Sequence, residues 1–75
     1  MPKLPSVSGK ETIRALEKIG FEKIRQRGSH MILKKETAQG SVGCVVPLHD
    51  DLATGTLHGI LKQAKVSVDE FIQNL

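Results

Sequence analysis

The sequence contains no tryptophan or tyrosine, and its only aromatic side chains are Phe21 and Phe71. Proteins that read the bases of single-stranded RNA commonly stack those bases on exposed aromatic side chains. The scarcity of aromatic residues argues against that class of RNA reader. If RNA is the ligand, we expect it to be held by its backbone.

The sequence also shows none of the features expected of an exported or membrane-anchored protein, such as paired cysteines or a long apolar segment. Its single cysteine, Cys44, cannot form an intramolecular disulfide. Residues 1–5 contain no apolar segment like that of a secretory leader, and no apolar run is long enough to span a bilayer. We therefore expect a cytoplasmic protein without a membrane anchor.

The chain of 75 residues is expected to form a single domain, residues 1–75. A chain of this length buries only about 60% of the surface that its unfolded form exposes. Its 39% apolar and 25% charged residues are typical of a globular protein. Because the size leaves no room for a large substrate cleft, the function must depend on a surface or on a partner.

Negative charge is scarce in the first half of the chain. Residues 1–35 carry nine Lys or Arg against three Asp or Glu, whereas residues 36–75 carry two against five. This asymmetry favours a polyanion on one side of the domain, and nucleic acid is the commonest polyanion. The alternative is that the basic residues form an ordinary solvated surface.

The apolar periodicity predicts three helices. Ser8 and Glu11 have the spacing of a capping box, and Gly20 suits the left-handed residue that ends a helix. Thr54 or Thr56 is predicted to cap the second helix, and a short third helix is predicted after residue 67. The residues expected to face the core are Ile13, Leu16 and Ile19, then Leu57, Ile60, Leu61 and Ala64, then Phe71, Ile72 and Leu75.

Three strands are predicted between the first two helices, at residues 21–26, 29–35 and 41–46. Short polar turns separate them, which indicates an antiparallel sheet, and the helices can bury one face of it. We therefore predict an α+β fold of order α-β-β-β-α with a short extra C-terminal helix, resembling a double-stranded RNA-binding domain. The second strand has two faces, one with His30, Ile32 and Lys34 and the other with Met31, Leu33 and Lys35.

Residues 23–35 place one histidine among five basic side chains and no acid. His30 can accept or donate a proton near neutral pH, and arginine and lysine bind phosphate. RNA carries its own nucleophile, the 2′-hydroxyl, so a histidine that removes its proton would cleave the strand without a metal. The group that protonates the leaving 5′-oxygen could be His49, a lysine or water. The alternative is that His30 is only a polar residue on an exposed strand.

A metal site is not expected. His30, Cys44, His49 and His58 are separated by 14, 5 and 9 positions, which matches no common zinc-ligand pattern. A cysteine in the middle of a strand is typically a small buried apolar residue. We therefore expect no metal and no cofactor.

Four short motifs occur in a characteristic order. They are Gly20-Phe21, then Arg25-Gln-Arg-Gly-Ser-His30, then Val46-Pro-Leu-His49, then Gly55-Thr-Leu57 with Ile60-Leu61-Lys-Gln-Ala64. In this order and over nearly the whole chain, the sequence resembles the HicA toxin family, also called YcfA-like. Two positions depart from the family pattern, because the family often has Arg where His58 stands and Gly where Lys65 stands.

The resemblance implies an mRNA interferase toxin, an endoribonuclease that inhibits translation and is neutralised by a HicB-type antitoxin bound over its active face. His30, in the Gly-Ser-His motif, would be the catalytic residue. The alternatives are a noncatalytic double-stranded RNA-binding module, which needs no imidazole at that position, and a domain that docks only another protein. The residues predicted to bind RNA are Arg25, Arg27, Ser29, Lys34, Lys35 and Lys62.

Overall fold

A computed structural model describes residues 3–75 of the chain. Three helices and three strands follow one another in the order α-β-β-β-α-α, as predicted. No helix in this part of the chain combines the length and the apolar character needed to cross a membrane. The elements are α1 (Gly9–Ile19), β1 (Glu22–Arg27), β2 (His30–Thr37), β3 (Gly40–Pro47), α2 (Thr54–Ala64) and α3 (Val68–Gln73).

The first helix, α1, begins and ends as its sequence predicts. The Ser8 hydroxyl accepts a hydrogen bond from the Glu11 amide, and the Glu11 carboxylate accepts one from the Ser8 amide, both at 3.0 Å. The pair satisfies amides that the first helical turn leaves without a partner. At the other end Gly20 has φ +120°, and the amide of the buried Phe21 donates to the Leu16 carbonyl at 3.0 Å. Phe21 thereby folds back and closes the helix against the core.

The three strands form one antiparallel sheet in the order β1-β2-β3. The strand bounds lie within one or two residues of the predicted ones. For example, β2 begins at His30 rather than at Ser29 and runs to Thr37. The register places His30 opposite Arg27 on one side and opposite Pro47 on the other.

The helices cover one face of the sheet. Leu33 and Cys44, which are opposite each other in β2 and β3, are buried together with Val46. Because consecutive strand residues point to opposite faces, Ile32 and Val45 lie on the other side, which we call the open face. The predicted α+β class with helices on one face of a three-stranded sheet is thus confirmed. Helix residues that complete the core are Ile13, Ala15, Leu16, Leu57, Ile60, Leu61, Ala64 and Phe71.

The prediction for the N-cap of α2 is wrong. The cap is Ala53, and no side chain accepts a hydrogen bond from the first amides of this helix. Thr54 is already the first helical residue and Thr56 lies further inside, so neither hydroxyl is placed as a cap. The helix is stabilised instead by its predicted apolar stripe, of which all four residues are buried.

The third helix, α3, is capped by Ser67, but only Phe71 of its three predicted core residues is buried, and Ile72 is half-buried. The Ser67 hydroxyl accepts a hydrogen bond from the Glu70 amide at 3.1 Å, and Phe71 is fully buried. Leu75, however, is 45% exposed. Because the helix ends at Gln73, Leu75 lies beyond the last turn and does not follow the helical direction towards the core.

Backbone hydrogen bonds join three segments at one corner of the domain. The Leu48 amide donates to the Ser29 carbonyl at 2.7 Å, which ties the chain after β3 to the β1–β2 turn. The Gly9 amide donates to the His49 carbonyl at 2.9 Å, which ties the start of α1 to the same segment. We call these two bonds the corner seam. A Cβ atom on Gly9 would overlap the carbonyl of Pro47, so the seam requires glycine there.

Replacing Gly9 with alanine should destabilise the domain, because the new methyl group collides with the Pro47 backbone. Overpacking of this kind costs about 1–3 kcal/mol. Gly59→Ala is the matched control. Gly59 lies inside α2 with no atom within 4 Å of an added Cβ, and alanine there should stabilise the domain by about 1 kcal/mol. Urea unfolding measures both values, and equal stability of the two variants would contradict the close approach at the seam.

Candidate functional site

His30 lies at the corner of the sheet that the seam holds together. It is the first residue of β2 and follows directly after the turn formed by Gly28 and Ser29, and its side chain is exposed. Arg27 stands opposite it in β1. Directly opposite residues of an antiparallel pair point to the same face, with their Cβ atoms roughly 5 Å apart. The imidazole and the guanidinium are therefore neighbours on the open face.

A β-bulge in β1 decides which cations reach this face. Lys23 is opposite Leu33 and points to the helix side, whereas Arg25 is opposite Ile32 and points to the open face. Residues two apart in a regular strand would share a face. The bulge between Lys23 and Arg25 therefore brings Arg25 to the open face with Arg27 and leaves Lys23 on the other side.

Four of the six predicted RNA-binding residues lie on the same side of the sheet as His30. Besides the two arginines of β1, the exposed Ser29 lies in the adjacent turn. Lys34 shares the face of His30 and lies four residues further along β2, a distance of about 13 Å. Its ammonium nitrogen is 3.5 Å from a carboxylate oxygen of Glu36, and both side chains are exposed. The open face thus carries three cations on the side of the histidine, with Glu22 directly opposite Lys34 at the far end.

The other two predicted RNA-binding residues, Lys35 and Lys62, lie away from His30. Lys35 is half-buried on the helix side, where its Nζ is 5.9 Å from the centroid of the Phe21 ring. Lys62 is exposed on α2, in the helical layer. The structure therefore separates these two lysines from the open face.

An apolar row, which the sequence did not lead us to expect, crosses the open face beside the cations. Ile24 is 52% exposed and Val45 is 41% exposed, and the half-buried Ile32 of the central strand is opposite Val45. Strand alternation placed Ile32 on the face of His30 in the sequence analysis and could have placed Val45 there as well. Ile24 lies at the bulge, which no local pattern indicated. Exposed apolar groups clustered among polar ones are typical of a surface that binds a partner.

The remaining histidines and the cysteine have other environments. His49 is exposed, and its main-chain carbonyl, not its ring, makes the seam contact. His58 is exposed on α2. Burial raises the pKa of the Cys44 thiol to about 11, so the thiol stays protonated at neutral pH. Within residues 3–75, His, Cys, Asp and Glu side chains form no group of three that could hold a metal ion.

The chemistry available at this corner combines a proton-transferring group with anion-binding groups. The imidazole of His30 can accept or donate a proton, and Arg27 can bind a phosphate through two parallel N–H donors. Within the described residues, neither arginine of β1 has a carboxylate oxygen within 4.0 Å of its guanidinium. The arginines are therefore available to bind an anionic ligand next to the histidine.

A family model matches most of the chain. The model, described as HicA toxin of bacterial toxin-antitoxin, matches residues 9–66, which run from the start of α1 past the end of α2 and include His30. A comparison with curated proteins finds no match. The family match extends over far more than half of the 75 residues and contains the whole sheet. The chain therefore belongs to the HicA toxin family and is a toxin of the toxin–antitoxin type.

Proposed function

We propose that the toxin is an mRNA interferase, a metal-independent endoribonuclease that uses His30 as its general base and so inhibits translation. The observation that supports this most strongly is the exposed imidazole of His30 opposite Arg27 on the open face. An exposed base on a flat, cationic surface can reach the backbone of a long RNA strand without a deep cleft. This fits a domain of only 75 residues.

In the proposed reaction, His30 removes the proton from a ribose 2′-hydroxyl. The 2′-oxygen then attacks the adjacent phosphorus, a P–O2′ bond forms, and the bond from phosphorus to the 5′-oxygen breaks. Neighbouring guanidinium groups stabilise the negative charge that grows on the phosphoryl oxygens. The leaving 5′-oxygen takes a proton from His49, a lysine or water. The products are a 2′,3′-cyclic phosphate and a free 5′-hydroxyl.

The proposed RNA contacts of the open face are Arg25, Arg27, Ser29 and Lys34. Because Lys34 is about 13 Å from His30 along β2, it would bind a neighbouring nucleotide rather than the one that is cut. Its ion pair with Glu36 is exposed and therefore weak, so Lys34 can exchange that partner for a phosphate at little cost. Lys35 and Lys62 lie away from His30 and are not among the proposed RNA contacts.

Membership of the family implies an antitoxin partner. We propose that a HicB-type antitoxin binds the open face and covers His30. The apolar row of Ile24, Ile32 and Val45 supports this proposal, because a protein partner can bury such side chains whereas an RNA backbone gains little from them. Acidic side chains of the antitoxin could pair with the arginines that would otherwise bind phosphate.

Replacing His30 with alanine should lower the rate of RNA cleavage about 10²- to 10⁴-fold, the range that general base catalysis contributes. RNA affinity should change little, because the cations of the open face remain. The measurement is cleavage and binding of single-stranded RNA by purified wild type and variant, each with and without a chelator. Equal cleavage by both proteins would rule out His30 as the base, and cleavage that a chelator abolishes would rule out the metal-independent reaction.

His58→Ala is the matched control for this experiment. His58 is also an exposed histidine, but it lies on α2 in the helical layer, so its replacement should leave cleavage unchanged. The same assay with double-stranded RNA as a second substrate tests the alternative function. A wild-type protein that binds double-stranded RNA but cuts no RNA would be a noncatalytic binding module.

Lys34 and Lys35 are adjacent residues on opposite faces of β2, which makes them a matched pair. On single-stranded RNA, one lost phosphate contact changes the slope of log affinity against log salt by about 0.7. Lys34→Ala should reduce the slope by this amount, whereas Lys35→Ala should leave it unchanged. Salt titrations in the His30→Ala background measure both slopes. Identical slopes for the two variants would contradict the open face as the RNA-binding surface.

A further inference from the structure

A second cationic surface lies on the helix side of the sheet, in a groove between α1 and the edge strand β1. Residues of α1 form one wall, β1 forms the other, and the segment after β3 closes one end. We call it the α1–β1 groove. Its polar lining residues are Lys10, Arg14, Glu17, Lys23 and Gln26, and the buried or half-buried Ile13, Met31 and Leu48 also line it.

The charge of the groove is predominantly positive. Lys10 and Arg14 are exposed and one helical turn apart on α1, and Lys23 faces them from β1. The only acid among the lining residues is Glu17, whose carboxylate is 4.0 Å from the Lys23 ammonium nitrogen. That contact is long and exposed, so it neutralises little of the field. Within residues 3–75, Lys10 and Arg14 have no carboxylate oxygen within 4.0 Å.

The bulge in β1 supplies the cation on the strand side of this groove. It turns Lys23 towards the helices while Arg25 faces the open side. A regular strand would have put both side chains on one face. The bulge therefore places Lys23 on the helix side of β1 and Arg25 on its open side.

The groove begins at the corner where His30 lies. Leu48, at the end of the groove, donates its amide to the carbonyl of Ser29, the residue before His30. The Gln26 side chain donates to the Gly28 carbonyl of the same turn at 3.0 Å. The groove and the open face are therefore separated only by the β1–β2 turn, and a flexible polyanion could run from one to the other around it.

The shape and the side chains of the groove fit the backbone of a single RNA strand. A concave channel between one helix and one strand can hold a single sugar–phosphate backbone. The convex surface of an RNA duplex would contact only the rims of the channel. The groove also offers no aromatic side chain on which bases could stack, because both aromatic residues of the chain, Phe21 and Phe71, are buried in the core. Recognition would rest mainly on phosphate charge.

We propose that the α1–β1 groove binds the phosphate backbone of the single-stranded RNA segment that extends from the cleavage point at His30. The proposal rests on the nuclease function proposed above and deepens it. The RNA would cross the open face at His30, pass the β1–β2 turn and continue between Lys10, Arg14 and Lys23. The domain would thus hold its substrate on both sides of the sheet.

The test uses the full chain with His30→Ala, so that RNA stays intact, and a fluorescently labelled single-stranded oligoribonucleotide as the probe. Lys10→Ala and Arg14→Ala together should reduce the slope of log affinity against log salt by about 1.4, because each lost contact accounts for about 0.7. Lys18→Ala is the matched control, since Lys18 is exposed on the same helix but outside the groove. The salt slope of the Lys18→Ala variant should equal that of the His30→Ala parent protein.

The same substitutions in a protein with His30 intact should raise KM for single-stranded RNA and leave kcat unchanged, because the groove binds ground state and transition state equally. Lys23→Gln provides an independent variant from the strand side, and circular dichroism verifies that each variant is folded. The proposal would be overturned if the groove variants had the same salt slope as the parent protein, or if Lys18→Ala reduced the slope as much as they do. It would also be overturned if the groove variants lost affinity for duplex RNA to the same extent as for single-stranded RNA. Because binding is measured without cleavage, this result is independent of whether His30 proves to be the base.

Discussion

The hydrogen bond from the Leu48 amide to the Ser29 carbonyl is the contact on which the site depends. Ser29 directly precedes His30, and a shift of one residue in the pairing of β2 would turn His30 towards the helices and Met31 towards solvent. The bond fixes the turn against the chain that leaves β3, and Gly9 fixes that chain against α1. The position of one exposed imidazole is thus set by the backbone of three separate segments.

The same sheet distributes the positive charge of the first half of the chain over two surfaces. Alternation along β2 gives the open face its lysine and its histidine, and the bulge in β1 divides Lys23 from Arg25. The open face combines cations with the apolar row, which fits a surface that RNA and a protein partner would use in turn. The apolar residues that line the groove on the other side, Ile13, Met31 and Leu48, are buried or half-buried, so its exposed side chains are mainly cations, which fits RNA.

The features that local sequence determines were predictable. The capping box of Ser8 and the side of the strand on which His30 lies follow from residue type and from a fixed period. The features that depend on how segments meet were not predictable. The bulge exists only in the pairing of β1 with β2, so the separation of Lys23 from Arg25 had no local signal. The α2 cap was mispredicted because threonine suits a cap, whereas this helix begins at Thr54 without a side-chain cap and is stabilised by the burial of its apolar stripe.

The account stands on the transfer of a 2′-hydroxyl proton to His30. The most direct measurement uses an RNA oligonucleotide whose cleavage position has first been mapped with the wild-type protein, and then the same oligonucleotide with a single 2′-deoxy nucleotide on the 5′ side of the cleaved bond. The account predicts that the substituted strand is bound as tightly as the original and is not cut at that position, while the original yields a 2′,3′-cyclic phosphate end. Cleavage of the substituted strand at the same position and rate would contradict it.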